Sequence, residues 1–395
     1  MSLKPCILPW INFGTNPYGR PRACGYSDQT IVKKNKTIKQ KGIQEAWNND
    51  YFKTIRKDFL EGKWPKNCNR CEYVEKLNGE SKRIHENTFN YDNHSHIVEH
   101  TNLDGSLNTF PNWLDIRIGT TCNLKCIHCG TGCSSKWNED KFLLDKYSNT
   151  IDYNIDNKWI EHESFIWDNI KENIDQVTKL NFLGGEPFAN KQHNKFIEEL
   201  SQTRYSKKIW IQYVSNGLLL NRKLLDCLNK FKQIVIRISI DAPYKAGEFF
   251  RFPLNWNVYK NKLQLLDEYN FDKAVQWTCS NVSMFYILDT YNFIKDNFSD
   301  EMKFLFCNHV EEPLHMSAKV LPIQLKEKIY QNISNYNWGR EKENIMFYAN
   351  HMIDEDLWLT EGKVFMNYLD DLSKARNIDW HVSLKEMNLN KYDQR

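Results

Sequence analysis

From about residue 114 onward, short runs of β-branched and aromatic residues alternate with longer segments whose apolar positions recur every three or four residues. This order is typical of parallel strands joined by crossover helices. It predicts six strands, at residues 114–118, 179–183, 208–214, 234–240, 274–279 and 301–307. It predicts intervening helices at residues 159–177, 191–202, 219–231, 256–269 and 285–298. Six strand–helix units favour an α/β fold, a partial (β/α)6 TIM-like barrel with its reactive groups on loops after the strand C-termini.

The segments on either side of this core have different patterns. The first hundred residues hold four cysteines among proline and glycine turns, with little periodicity outside residues 44–60, which predicts a small separate module. Residues 81–112 are polar and rich in Asn and His, which predicts a linker with solvated histidines at positions 94, 96 and 100. Beyond Pro322, apolar spacing predicts helices at 325–335, 341–354 and 360–375 that cap the barrel or cover its cleft. The predicted regions are therefore 1–95 (Cys-rich module and start of the linker), 110–310 (barrel core) and 311–395 (helical extension).

Composition places the chain among globular proteins. Its 395 residues are 41% apolar and 14% aromatic, enough for a packed core. The 53 basic and 50 acidic residues leave a net charge of +3, which gives no general attraction to nucleic acid. A basic run from Lys33 to Lys41 predicts a solvated loop, with binding of phosphate or an acidic peptide as the alternative. The start does not resemble a signal peptide and no apolar stretch approaches about 20 residues, so the sequence predicts a cytoplasmic protein without a membrane partner.

The chain has eleven cysteines, and most of them are clustered. In a cytosolic protein such clusters favour metal ligation over disulfides. Cys227, Cys279 and Cys307 stand alone in or beside apolar runs, which predicts small buried side chains without a role in chemistry.

One loop after the first predicted strand holds Cys122, Cys126 and Cys129 at C-x3-C-x2-C spacing. Closed iron–sulfur or zinc sites normally take four protein ligands, so three thiolates would leave one iron of a four-iron cluster open to a substrate. Cys133 follows at x3 spacing and offers an alternative, a saturated electron-transfer cluster or a zinc site with four ligands.

The sequence from Thr120 through Cys122-Asn-Leu-Lys-Cys126 to Cys129 resembles the signature of the radical S-adenosylmethionine (SAM) enzymes. In that family the amino and carboxylate groups of SAM chelate the open iron. An electron from the reduced cluster then breaks the sulfonium bond, and the resulting 5′-deoxyadenosyl radical takes a hydrogen from the substrate. The resemblance implies a [4Fe-4S] cluster with an open iron site, SAM as cofactor, and a flavodoxin- or ferredoxin-like electron donor, while the protein supplies binding and orientation.

Three further motifs follow successive predicted strands and resemble the SAM cradle of the same family. Glycines let a backbone approach a ligand, and a neighbouring carboxylate accepts hydrogen bonds from an ammonium group. The resemblance implies that the first motif holds the methionine amino group and that the others contact the methionine and ribose parts. Each motif taken alone would also suit an ordinary turn at a strand end. The residues are Gly184, Gly185, Glu186 and Pro187; Ser215 and Asn216; and Ser239 and Asp241.

A second candidate metal site lies near the N-terminus, where Cys6, Cys24, Cys68 and Cys71 supply four thiolates. Four ligands would close a four-iron cluster or a zinc site. The surrounding text resembles the auxiliary-cluster modules called SPASM and twitch domains, although it precedes the barrel and lacks the further cysteines of a full SPASM domain. The resemblance implies one auxiliary [4Fe-4S] cluster, with zinc as the alternative, in an electron-relay or structural role.

A relay beside the reaction site would accept the electron left after hydrogen abstraction. This favours oxidation or cross-linking of a peptide or protein side chain. The alternative is dehydrogenation or epimerisation of a small carbohydrate- or nucleoside-like molecule, and a third hypothesis is a metal-cluster scaffold without activity. No catalytic proton or hydrogen donor is evident. Candidate substrate contacts after the fourth and sixth strands are Glu248, Arg251, His309, Glu311, Glu312 and His315.

Overall fold

The computed structural model describes residues 3–27, 42–147, 159–160, 165–299 and 302–392. The basic run from Lys33 to Lys41, the first residue of the strand predicted at 301–307, and part of the helix predicted at 159–177 lie outside the described residues. The side chain of Cys307 lies outside them as well.

The described residues form eight strands in one sheet, in the order β2-β1-β3-β4-β5-β6-β7-β8. The first pair, β1 and β2, is antiparallel, whereas β3 pairs in parallel with β1 and with β4, and β7 pairs in parallel with β6 and with β8. The six predicted strands correspond to β3–β8, with ends shifted by at most about two residues. The predicted α/β class with an unclosed parallel sheet is confirmed. The strands are β1 (Asn12–Thr15), β2 (Pro21–Arg22), β3 (Trp113–Arg117), β4 (Lys179–Leu183), β5 (Trp210–Ser215), β6 (Gln233–Ser239), β7 (Asp272–Cys279) and β8 (Lys303–His309).

Helices lie between most of these strands and after β8. The N-terminal helices are α1 (Leu8–Ile11), α2 (Gly42–Trp47), α3 (Asp50–Leu60), α4 (Asn69–Lys76) and α5 (Lys82–Glu99). Those between β3 and β8 are α6 (Lys141–Tyr147), α7 (Phe165–Glu172), α8 (Lys191–Ser201), α9 (Arg222–Leu228), α10 (Tyr244–Phe250), α11 (Trp256–Asp267), α12 (Asn281–Phe285) and α13 (Ile287–Asn297). The C-terminal helices are α14 (Ile323–Asn335), α15 (Lys342–Ile353), α16 (Trp358–Arg376) and α17 (Trp380–Ser383). No helix among the described residues has the length and apolarity needed to span a membrane.

The prediction of a linker at 81–112 is wrong for its first half, where α5 runs for 18 residues. The Ser81 side chain accepts a hydrogen bond from the backbone N–H of Ile84 and caps the helix, and Arg83 forms an ion pair with Glu75. Only two of its residues, Glu86 and Val98, are buried, so the apolar periodicity that reveals most helices is weak here.

The N-terminal segment also contributes strands to the sheet, which the sequence did not predict. Residues 12–14 of β1 pair in parallel with residues 113–115 of β3. Both β1 and β2 are short, so period-2 alternation has too few positions to be recognised.

The chain divides into two compact units, each described by itself below. Unit 1 comprises residues 1–120, 155–213 and 227–234, and unit 2 comprises 121–154, 214–226 and 235–395.

In unit 1 the strand residues alternate between two faces of the sheet. Ile116 and Phe182 are fully buried on one face, where the Phe182 ring lies 6.1 Å from Trp167 of α7 and 4.8 Å from His193 of α8. The opposite face carries polar residues, including Asp115 and Asn181. One face therefore packs on helices, while the other carries polar side chains.

In unit 2 the sheet residues pack against the C-terminal helices. The Trp277 ring of β7 is fully buried, 5.7 Å from Phe306 of β8 and 5.6 Å from Tyr348 of α15. The three predicted C-terminal helices correspond to α14, α15 and α16. Their apolar faces are thus part of the core of this unit.

Candidate functional site

The cysteine loop, defined as residues 121–134 between β3 and α6, is held along its backbone. The N–H groups of Lys125 and Ile127 donate to the carbonyl oxygens of Phe252 and Phe250, at 2.7 and 2.9 Å. These bonds resemble a short stretch of strand pairing beside the end of α10. The loop is therefore fixed at the residues that surround Cys126.

The carbonyl oxygens of Lys125, Cys126 and Ile127 each accept a hydrogen bond from a side chain. The Arg376 guanidinium donates to Lys125 O at 2.7 Å, the Trp137 indole to Cys126 O at 3.1 Å, and the Tyr368 hydroxyl to Ile127 O at 2.7 Å. All three donors are buried. Successive buried carbonyl groups need partners, and here each has one. We call Trp137, Tyr368 and Arg376 the carbonyl clamp.

We expect Tyr368→Phe to lower the free energy of unfolding by about 1–3 kcal/mol, because the buried Ile127 carbonyl loses its partner. Urea denaturation of the reduced, metal-free protein measures the change. Tyr147→Phe is the matched control: its ring lies 5.1 Å from Tyr368, but its hydroxyl donates to Asp371 in a partly exposed position. The control should change stability by no more than about 0.5 kcal/mol. Equal losses in both variants would contradict the role of the clamp.

A buried ion pair lies beside Cys126. The Arg251 guanidinium pairs with the Asp241 carboxylate and approaches the Cys126 sulfur at 3.7 Å. Asp241 is fully buried, and its other oxygen accepts a hydrogen bond from the Thr278 N–H at 3.2 Å. Burial acts to lower the pKa of Arg251, but the carboxylate and the thiolate outweigh it and raise that pKa. Arg251 therefore stays charged next to the thiol.

The thiols of Cys126 and Cys129 are neighbours. A hydrogen bond between them lowers the pKa of Cys126 to about 7, with burial opposing and Arg251 assisting. The same hydrogen bond and burial raise the pKa of Cys129. The thiolate is the form of cysteine that binds metals, so Cys126 is the thiol of this pair that ionises more readily. Cys133 is exposed and lies in a turn, where its N–H donates to Gly130 O at 2.9 Å. The choice between three and four ligands stays a prediction.

Cys122 lies next to a predicted cradle residue. The Asn216 amide donates to Asn123 Oδ1 at 2.7 Å and lies 3.9 Å from the Cys122 sulfur. Ser215 is buried, and its hydroxyl accepts from the Gly217 N–H at 3.0 Å. Ser239 is half-buried at the end of β6. Unit 2 thus brings together the three loop cysteines with Asn216, Asp241 and Arg251.

The Gly-Gly-Glu-Pro motif lies in unit 1, directly after β4. Gly184 has φ +88°, and a Cβ atom there would lie 2.8 Å from the carbonyl oxygen of Gly119. Glycine is therefore required both by the backbone conformation and by the close approach of the two loops. Glu186 is 1% exposed, and its carboxylate accepts a hydrogen bond from the Phe188 N–H at 3.2 Å. Pro187 begins the short helical turn that this bond caps.

The four N-terminal cysteines line one recess in unit 1, together with Trp64, Phe59, Lys82 and Arg83 among others. Burial raises the pKa of Cys6, and the other three cysteines raise it further. The cysteines come from separate segments around α1, β2 and α4. The recess therefore offers a set of four thiols, the donor type that both iron–sulfur clusters and zinc prefer.

Neither set of cysteines is already gathered into a metal cage. Within the described ranges, no three Cys, His, Asp or Glu side chains meet the geometry of a metal-binding group. Cys126 and Cys129 share a hydrogen bond, and the four N-terminal cysteines line one recess. The residues present fit the clusters by donor chemistry, since both sets consist of thiols.

The other predicted candidates have structural contacts. Glu248 accepts a hydrogen bond from the Trp256 N–H at 2.8 Å and pairs with Lys245 at 2.6 Å. The His309 ring lies against the His351 ring at a tilt of 42°, with centroids 3.7 Å apart, and burial lowers the pKa of His309 to about 4. His315 is 3% exposed beside the Tyr147 and Tyr368 rings, whereas Glu311 and Glu312 are exposed.

Of the isolated cysteines, Cys279 is buried as predicted and Cys227 only partly so.

Sequence reasoning missed the carbonyl clamp. Tyr368 and Arg376 are 241 and 251 positions away from the backbone groups that they bind. Tyrosine and arginine on a C-terminal helix carry no signal for such a contact in a single sequence. Asp241 was predicted as a cofactor contact and Arg251 as a substrate contact, but their pairing with each other was not foreseen.

A comparison with known protein families matches the segment of the chain that holds this site. A model of the Radical SAM superfamily matches residues 116–292, somewhat less than half of the chain. The matched segment contains all three loop cysteines and the three cradle motifs. This segment therefore matches a radical SAM superfamily domain, and enzymes of that superfamily use a [4Fe-4S] cluster and SAM.

Similar proteins cover only part of this chain. An uncharacterized protein of Methanocaldococcus jannaschii, MJ0907, is 28% identical over 185 residues, which are 44% of this chain and 55% of that protein. The structure of anSMEcpe with bound AdoMet and Cp18Cys peptide is 18% identical with a TM-score of 0.38, covering 57% of this chain and 59% of that one. Streptococcus suis SuiB bound to S-adenosylmethionine is 19% identical with a TM-score of 0.37, covering 71% and 59%. This chain thus spans little more than half the length of each.

Proposed function

We propose that this protein is a radical SAM enzyme that oxidises or cross-links a side chain of a peptide or protein substrate. The general chemistry is supported by the superfamily domain at residues 116–292. The observation that carries the proposal is the cysteine loop. Cys122, Cys126 and Cys129 lie within eight residues of sequence, and the backbone between them is bound on both sides.

The proposed ligands of the SAM-binding cluster are the three loop cysteines. When bound, such a cluster supplies the electron that cleaves SAM into methionine and a 5′-deoxyadenosyl radical. Arg251 holds positive charge beside Cys126, and the clamp keeps the loop in one conformation. We assign to Gly184, Gly185, Glu186 and Pro187 the binding of the methionine amino group, and to Ser215, Asn216 and Ser239 the binding of the methionine and ribose parts. Asp241 acts through Arg251, because its two oxygens are bound to Arg251 and to Thr278 N–H.

The recess around Cys6, Cys24, Cys68 and Cys71 is the proposed site of a second [4Fe-4S] cluster, with zinc as the alternative metal. Four thiolates would leave no open corner, so this cluster would accept or relay an electron rather than bind substrate. An electron acceptor makes a net oxidation feasible, whereas a redox-neutral epimerisation would not need one. The electron donor would be flavodoxin- or ferredoxin-like, and location in the cytoplasm stays a prediction from the sequence.

Formation of 5′-deoxyadenosine tests the proposed substrate class. We expect the anaerobically reconstituted and chemically reduced protein to form it from SAM, and faster with one member of a peptide panel than with any sugar or nucleoside. The peptide product should be lighter by the mass of the hydrogen removed, which mass spectrometry measures. Faster formation with a sugar or nucleoside would instead support the small-molecule alternative. No formation with any reductant would contradict the enzyme class.

A further inference from the structure

A row of polar residues crosses the sheet of unit 1 on the face opposite to the helices. Backbone pairing places five residues side by side on neighbouring strands: Arg22 with Gly14, Gly14 with Asp115, Asp115 with Asn181, and Asn181 with Gln212. Directly paired residues share a face. The Asn181 amide donates to Asp115 Oδ1 at 3.3 Å, which confirms that these two side chains meet. We call these five residues the polar row.

Glycine in this row makes room for an arginine. A Cβ atom on Gly14 would lie 3.0 Å from Cγ of Arg22, so the aliphatic part of the Arg22 side chain passes over the glycine. Arg22 Nε donates to the carbonyl oxygen of Cys24 at 2.9 Å. One end of the polar row is therefore anchored to a cysteine of the N-terminal recess.

Several buried polar atoms along this face have no hydrogen-bond partner among the described residues. They are Arg22 Nη2, Asn181 Oδ1 and, two positions further along β3 on the same face as Asp115, Arg117 Nε. Arg22 and Asn181 are each only 8% exposed. A buried polar group without a partner costs about 1–3 kcal/mol, so a ligand that supplied partners to the two donors and one acceptor on this face would be stabilised there.

The charge of this face indicates what kind of ligand it binds. Arg22 and Arg117 carry two positive charges, and Asp115 carries one negative charge. Burial lowers the pKa of Arg22 and the charge of Arg117 lowers it further, as expected for two cations with too little compensation. Guanidinium groups bind carboxylates through paired hydrogen bonds. Lys82 and Lys179 also act on the Asp115 carboxylate. Positive charge therefore exceeds negative charge around this face, which favours an anionic ligand such as a carboxylate.

We propose that the polar row and Arg117 form a substrate subsite for a carboxylate that lies next to an N–H donor, as at an acidic or C-terminal residue of a peptide. The carboxylate oxygens accept hydrogen bonds from Arg22 and Arg117, and the N–H donates to Asn181 Oδ1. This inference rests on the proposed function, since it specifies the substrate class of the same enzyme. It also places the charged group of the substrate beside the backbone of Cys24.

Two matched small molecules test this subsite without any SAM chemistry. N-acetylglycine carries one carboxylate next to an N–H group, and N-acetylglycinamide carries the same N–H group without the charge. We expect N-acetylglycine to raise the melting temperature of the reconstituted full chain in a saturable manner, and the amide to have no saturable effect. The apparent dissociation constant for N-acetylglycine should rise about tenfold or more in Arg117→Gln, because a charge-assisted hydrogen bond is lost.

Arg204→Gln is the control, because Arg204 is an exposed arginine of the same unit outside the row. It should bind N-acetylglycine as the unchanged protein does. Arg117 is only half-buried, so its variant keeps the core intact, and Arg22→Gln provides a second, more buried test. Unchanged binding in Arg117→Gln, an equal response to the amide, or no saturable response would overturn the proposal. A response abolished by saturating SAM would overturn it too, by assigning the row to the cofactor. SAM cleavage is measured separately, so the proposed function and this inference fail independently.

Discussion

Replacing Cys126 with alanine is expected to abolish formation of 5′-deoxyadenosine and to remove about half of the iron of the reconstituted protein. Two four-iron clusters correspond to about eight irons, and loss of the loop cluster leaves about four. The expected effect is complete because two remaining thiolates hold a cluster poorly and because Cys126 is the buried thiol next to Arg251 and Cys129. Iron and sulfide analysis together with the product assay measures both losses.

Cys227→Ala provides the matched control. Cys227 is partly buried like several of the proposed ligands, but it stands outside both cysteine sets. Its variant should keep about eight irons and full activity. Formation of 5′-deoxyadenosine by the Cys126 variant would contradict the assignment of the loop. A different result is about four irons in the unchanged protein and none in the Cys126 variant, with zinc retained in both. That result would assign zinc to the N-terminal recess and remove the basis for an electron relay.

Arg251→Gln is expected to lower the free energy of unfolding by about 3–5 kcal/mol. Removal of one partner of a buried ion pair leaves the other charge uncompensated, and that penalty is the largest part of the loss. The Asp241 side chain is fully excluded from solvent, so it would have neither water nor a cation nearby. Denaturant unfolding of the reduced, metal-free protein gives the value without any contribution from bound iron.

A double variant, Arg251→Gln together with Asp241→Asn, tests whether the ion pair itself is the source of this stability. With both charges removed, no buried carboxylate is left unpaired, so the double variant should be more stable than Arg251→Gln alone. The free energy of unfolding is measured for each single variant as well. If the change in the double variant equals the sum of the two single changes, the residues act independently. In that case the contact between Arg251 and Asp241 would not be the source of the stability.

The strands of the barrel core could be predicted because their signal is local. Alternation of apolar runs with amphipathic segments located β3 through β8 to within about two residues. The cysteine spacing and the Gly-Gly-Glu-Pro text were likewise contained in short windows. The polar helix α5 and the short strands β1 and β2 lacked such a signal, since one buries few apolar residues and the others are too short to show a period.

The sequence by itself determined the α/β class, the order of the six core strands and the thiols available for metal binding. These depend on side-chain type at fixed spacing along the chain. Only the tertiary structure decided which distant groups surround those thiols: the Arg251–Asp241 pair at Cys126, the clamp from α16, and the polar row formed by strand register. Such contacts depend on which buried donors and acceptors meet after packing, and buried polar groups must find partners wherever the fold brings them.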